Sequence, residues 1–136
     1  MRLSNAAAIT ALNAVAALPD NGEIKVYTGS EPGTVETAAT GTLLGTNTLA
    51  SDAFPAGSDG GGLATTAANA IGDDVDADAA GDPGYFRILD SGGTAILQGS
   101  AGGPSNPTRD LVFDKDTFVA GDVVKINSLT LRMPEA

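Results

Sequence analysis

Cysteine, histidine and tryptophan are all missing from these 136 residues. Without cysteine there are no disulfides, no thiolate nucleophiles and no thiolate-held metals. Without histidine the usual proton shuttle at neutral pH is gone, together with the commonest zinc ligand. Most familiar active-site designs are thereby excluded. Aromatic rings number six, two Tyr and four Phe, too few to spare a stacking platform for sugars. Basic residues number 7 against 17 acidic ones, a formal charge of -10. With a pI of about 4.1, the chain repels phosphate backbones and anionic lipid, so neither nucleic acid nor a membrane is an expected partner. No apolar run approaches the ~20 residues that span a bilayer.

What is present is small and turn-forming: 18 Gly, 7 Pro, and a hydrophobic fraction carried largely by alanine. The length suits one domain. Leu, Ile, Val and Phe total thirty, which makes the core thin and association with a partner favourable for stability. Ala14-Val15-Ala16 mimics a signal-peptidase site, but Asn5, Thr10 and Asn13 break the alanine-rich stretch before it, so a mature start at Met1 is expected.

Ser4 is a natural N-cap, and Ile9, Leu12, Val15 and Ala16 recur at helical spacing until Pro19, predicting one helix over 5–18. From Glu23 onward short β-branched runs alternate with Gly, Pro, Asp and Asn. Strands are predicted over 24–28, 42–49, 63–71, 84–89, 94–99, 111–113 and 123–131, with residues 52–62 a surface loop. Asp90-Ser91-Gly92-Gly93 marks the clearest hairpin turn. Val75, Ala77 and Ala79 alternate with Asp74, Asp76 and Asp78, the pattern of a half-buried or edge strand with one carboxylate face. In 123–131, Val124, Ile126, Ser128 and Thr130 share one predicted face. The expected fold is mainly β, an antiparallel β-sandwich or jelly-roll-like single domain with one N-terminal α-helix. Residues 1–22 form its helix and connector, and residues 23–136 the sandwich.

The densest chemical feature is the aspartate run that includes Asp74, Asp76 and Asp78, a candidate calcium site because hard cations want several carboxylate oxygens. Ala79 stands where a calcium loop needs glycine, and a solvated strand face that discourages aggregation explains the run as well. Metal and cofactor are therefore expected to be none. Asp114 and Asp116 flank Lys115 as a glycosidase acid pair could, but read as a polar turn; Ser91 has no base near it in sequence. No catalytic residue is assigned and the chain is expected not to be an enzyme. Interface candidates are Ile9, Leu12 and Val15 on the helix and Phe54 in its Pro-Gly loop, the last as an exposed anchor.

The order of these features resembles a group of tailed-bacteriophage virion proteins, the head decoration or cement proteins. The matching stretches are Met1-Arg2-Leu3-Ser4-Asn5-Ala6-Ala7, Lys25-Val26-Tyr27-Thr28-Gly29, 41–49, 84–99 and 119–134. The resemblance implies a subunit made in the host cytoplasm and carried on the capsid exterior of the virion. It further implies a homotrimer that binds the major capsid protein and holds adjacent capsomers together. Another virion component, such as a head fibre, tail or receptor-binding module, and a carbohydrate-binding sandwich are the alternative readings.

Overall fold

A computed structural model describes residues 1–134 of the chain. The one helix, α1 (Asn5–Ala16), begins where the Ser4 hydroxyl accepts a hydrogen bond from the Ala7 amide at 3.2 Å. Eight strands follow: β1 (Glu23–Tyr27), β2 (Leu43–Thr48), β3 (Ser58–Asp59), β4 (Leu63–Ala67), β5 (Tyr85–Leu89), β6 (Ala95–Gly102), β7 (Leu111–Val112) and β8 (Thr130–Pro134). They form a five-stranded sheet in the order β2-β1-β5-β6-β7 and a three-stranded sheet in the order β3-β4-β8. The molecule is thus mainly β with one N-terminal helix and is sandwich-like. It is not wholly antiparallel, because β6 and β7 pair in parallel at Ala101–Leu111 and Gly102–Val112.

Alternation along β1 and β5 sends Ile24, Val26, Phe86 and Ile88 into the main core, where Leu44, Phe113, Phe118, Val124, Ile126 and Leu129 meet them. A smaller cluster forms where α1 lies on the three-stranded sheet, Ala8 and Leu12 packing against Ala64. Alanine at the contact lets helix and sheet approach closely. Leu131 touches both clusters and joins them.

Every residue of β5 is buried, so its second face is covered too. The cover is the segment 28–42. The Tyr85 hydroxyl accepts from the Thr40 amide (2.9 Å) and donates to the Thr40 carbonyl (2.6 Å), and the Gln98 amide donates to the Pro32 carbonyl (2.6 Å). Tyr27 and Tyr85 stack beneath it with ring centres 5.0 Å apart.

Three segments depart from the sequence reading. Residues 52–62, expected as a surface loop, contain β3 and bury Ala53 and Phe54. The turn can go inside because Asp20 accepts from the Ala53 amide, Asn69 donates to the Ala53 carbonyl and Thr66 donates to the Pro55 carbonyl. Residues 74–79 are no strand; one isolated bridge joins Asp74 to Val124. The Asp74 carboxylate accepts from both Thr46 and Asp76 amides, which bends the chain and breaks the alternation. The predicted strand 123–131 holds only that bridge, and β8 begins at Thr130. Val124 and Ile126 point inward, then Leu129 does, so the face changes between them.

Candidate functional site

The two sheets do not close on each other everywhere. β6 pairs with β5 along its length, but its other edge meets β7 only at Ala101 and Gly102. β8 pairs with β4 and is the last strand of its sheet among the described residues. Between these two edges lies an open groove of about 710 Å³. The half-buried Leu97 and Leu131 give it a small apolar patch backed by the buried Phe86 and Leu129, while the rest of its lining is polar, with Arg109 and Arg132 among it. Asp110 also lines it, its Oδ2 accepting from the Ser100 amide (2.9 Å) and hydroxyl (2.8 Å), and its charge offsets part of that of the two arginines. A small apolar patch with two guanidinium groups suits an apolar side chain flanked by carboxylates.

At the far edge of the five-stranded sheet a different surface is built. Asp74 is tied to β2 through the Thr46 amide (2.8 Å), Asp78 donates its amide to the Leu44 carbonyl, and the buried Asn47 side chain donates to the carbonyls of Gly72 (3.0 Å) and Val124 (2.7 Å). The Ala77 amide bonds the Asp122 carbonyl, bringing 119–123 alongside. This fixed ridge exposes three valines, Val75 at 71%, Val119 at 56% and Val123 at 45%, beside the exposed carboxylates of Asp73, Asp76 and Asp78. Lys125 is exposed nearby, whereas Lys115 is paired with Asp122 at 3.3 Å.

The predicted site residues fall elsewhere. Leu12 and Phe54 are buried inside the chain at 2% and 4% exposure, which corrects the expectation of an exposed anchor at Phe54 and removes Leu12 from any surface; Ile9 and Val15 are half-buried. The structure does not gather Asp74, Asp76 and Asp78: no cluster of three or more acidic side chains able to hold a metal ion occurs among the described residues. Asp74 works as a backbone anchor instead. Asp116 accepts from the Ser105 amide and hydroxyl, which lowers its pKa, and the Val119 amide, with Lys115 beside it, does the same for Asp122. Burial beside Tyr85 pushes the Tyr27 hydroxyl up. Neither the groove nor the valine ridge was singled out from sequence. The signal for the ridge was Val75 set among aspartates, a large apolar side chain where a solvated turn needs none.

Comparison of the chain with family models, with curated proteins and with solved structures returns no match.

Proposed function

We propose that the chain is a non-enzymatic structural subunit that acts by docking its surface onto other subunits, and that its place is the outside of a tailed-phage head. In this reading it is a decoration or cement protein, a homotrimer bound to the major capsid protein across capsomer contacts. The observation that carries the docking reading is the pairing, on one small domain, of an open, largely polar groove that holds two arginines with an exposed valine ridge. Apolar surface left outside on a chain with so thin a core marks contact sites. The resemblance of the stretches 1–7, 25–29, 41–49, 84–99 and 119–134 supports the virion placement, and the formal charge of -10 suits a particle exterior kept soluble and away from DNA. Repeated attachment on a symmetric shell makes individually weak contacts tight.

Mass spectrometry of purified particles tests this directly. A copy number comparable with that of the major capsid protein is expected. A handful of copies would exclude decoration in favour of a tail or fibre role, and complete absence from particles would end the virion reading.

A further inference from the structure

We infer that the valine ridge of one copy seats in the groove of a second copy, so that the chain assembles head to tail through two different surfaces. The inference rests on the docking reading above and names the partner of that same groove.

The two surfaces lie at opposite edges of the five-stranded sheet: the ridge is bonded to β2, and the groove follows β6. A contact between them is therefore heterologous, repeating from copy to copy, and it closes into a ring or continues as a filament according to the rotation per step. Their chemistry matches. Val75 is 71% exposed and projects from a ridge whose bends are fixed by the Asp74 carboxylate, so its side chain is presented with little ordering left to lose. The groove offers a small apolar patch from Leu97 and Leu131, backed by the buried Phe86 and Leu129, within a mostly polar lining. Beside Val75 stand the free carboxylates of Asp73 and Asp76, while the groove presents Arg109 and Arg132. These are two of only 7 basic residues on a chain of formal charge -10, and collecting them in one groove makes it the fitting receptor for an acidic segment, including the chain's own.

The absence of cysteine makes the test clean. Val75→Cys and Val112→Cys both alter exposed side chains, one on the ridge and one lining the groove. Mixed under mild oxidation, in solution and on assembled particles, the two variants are expected to give a mixed disulfide dimer faster than either variant alone gives its own. In parallel, light scattering should show that Val75→Asp, or the double change Arg109→Glu with Arg132→Glu, weakens self-association by roughly thirtyfold, the scale of losing one buried anchor. Asp73→Lys with Asp76→Lys should restore association when mixed with the groove double variant. No preferential cross-link in either setting overturns the inference. So does self-association that all these variants leave unchanged, which would put the contact elsewhere. If the groove variant loses attachment to particles while Val75→Asp keeps it, the groove receives another protein's segment; that outcome sinks the head-to-tail contact and leaves the docking function standing.

Discussion

Arg87 is 5% exposed, its Nε and Nη2 atoms have no hydrogen-bond partner among the described residues, and register places Lys25 on one side of it and Gln98 on the other. Its Nε and Nη2 carry their desolvation cost uncompensated, and the Lys25 ammonium across from it, paired with Glu23 at 3.6 Å, offers it no partner. Arg87→Met keeps an unbranched stem and removes the charge. It should raise stability by about 1–4 kcal/mol, the range seen when buried charges give way to apolar residues of similar volume. The urea midpoint checks it, and a lower midpoint would show that the guanidinium is satisfied in the folded chain. Asp116 and Asp122 act in the opposite sense. Both carboxyls have native pKa values below the ordinary 3.8, through the Ser105 and Val119 amides first. Their contribution is complete above that ordinary value and disappears as pH falls through the lowered native one. Urea midpoints should therefore show no loss from these two groups between neutral pH and the ordinary value of 3.8 and drop as pH falls below it, and Asp116→Asn should flatten part of that fall. Asp116 is exposed and Asp122 half-buried at the surface, so each share is small and shrinks with salt.

Elements whose signals are local were legible in the sequence. The Ser4 cap and Pro19 bracket α1, and the Asp90 turn joins β5 to β6 where predicted, because cap and turn chemistry act over a few residues. What alternation could not foresee was side-chain interference with the backbone over long separations. Asp74 reads as one more outward carboxylate in a strand, yet it accepts from Thr46, 28 residues away, and converts the strand into a ridge. Phe54 reads as exposed because Pro-Gly turns usually are, but Asp20, Thr66 and Asn69 satisfy the surrounding backbone and let it go inside. Asn47 belongs to this class as well. Fully buried on β2, it holds the Gly72 and Val124 carbonyls that position the ridge. Asn47→Ala takes away the Gly72 carbonyl's side-chain donor and one of the two donors on the Val124 carbonyl, which keeps the Asp74 amide, and should cost about 2 kcal/mol. Hydrogen exchange locates the damage: the Asp74 and Val124 amides, which bond each other's carbonyls across the bridge, should lose protection before those of β5 and β6.

Among the described residues the buried side chains form two clusters, joined at Leu131 and at Ala16 of α1. The larger is centred on the five-stranded sheet, and the smaller lies between α1 and the three-stranded sheet. The smaller contains only Ala8, Leu12 and Ala64 as fully buried members, with Ile9, Leu131 and Met133 packed around them, too little apolar area to stand alone. Its stability is borrowed through Leu131, which also packs on the larger cluster, and through Ala16 at the end of α1, which is buried in that cluster. The groove opens beside Leu131, so one of the side chains that couple the clusters also lines the proposed docking surface. Wild-type chain should unfold in one transition, with helix signal and tyrosine signal coinciding. Leu131→Ala removes half-buried volume, which should cost about 1–2 kcal/mol, less than the 2–5 of a fully buried leucine. Its larger effect should be to separate the transitions. Far-ultraviolet circular dichroism from α1 should then fall at lower urea than the near-ultraviolet signal of Tyr27 and Tyr85, which report the five-stranded sheet. Coincident curves in the variant would mean that the sheets are coupled through more than this leucine, whereas separated curves would place the weakest joint of the fold at the mouth of the groove.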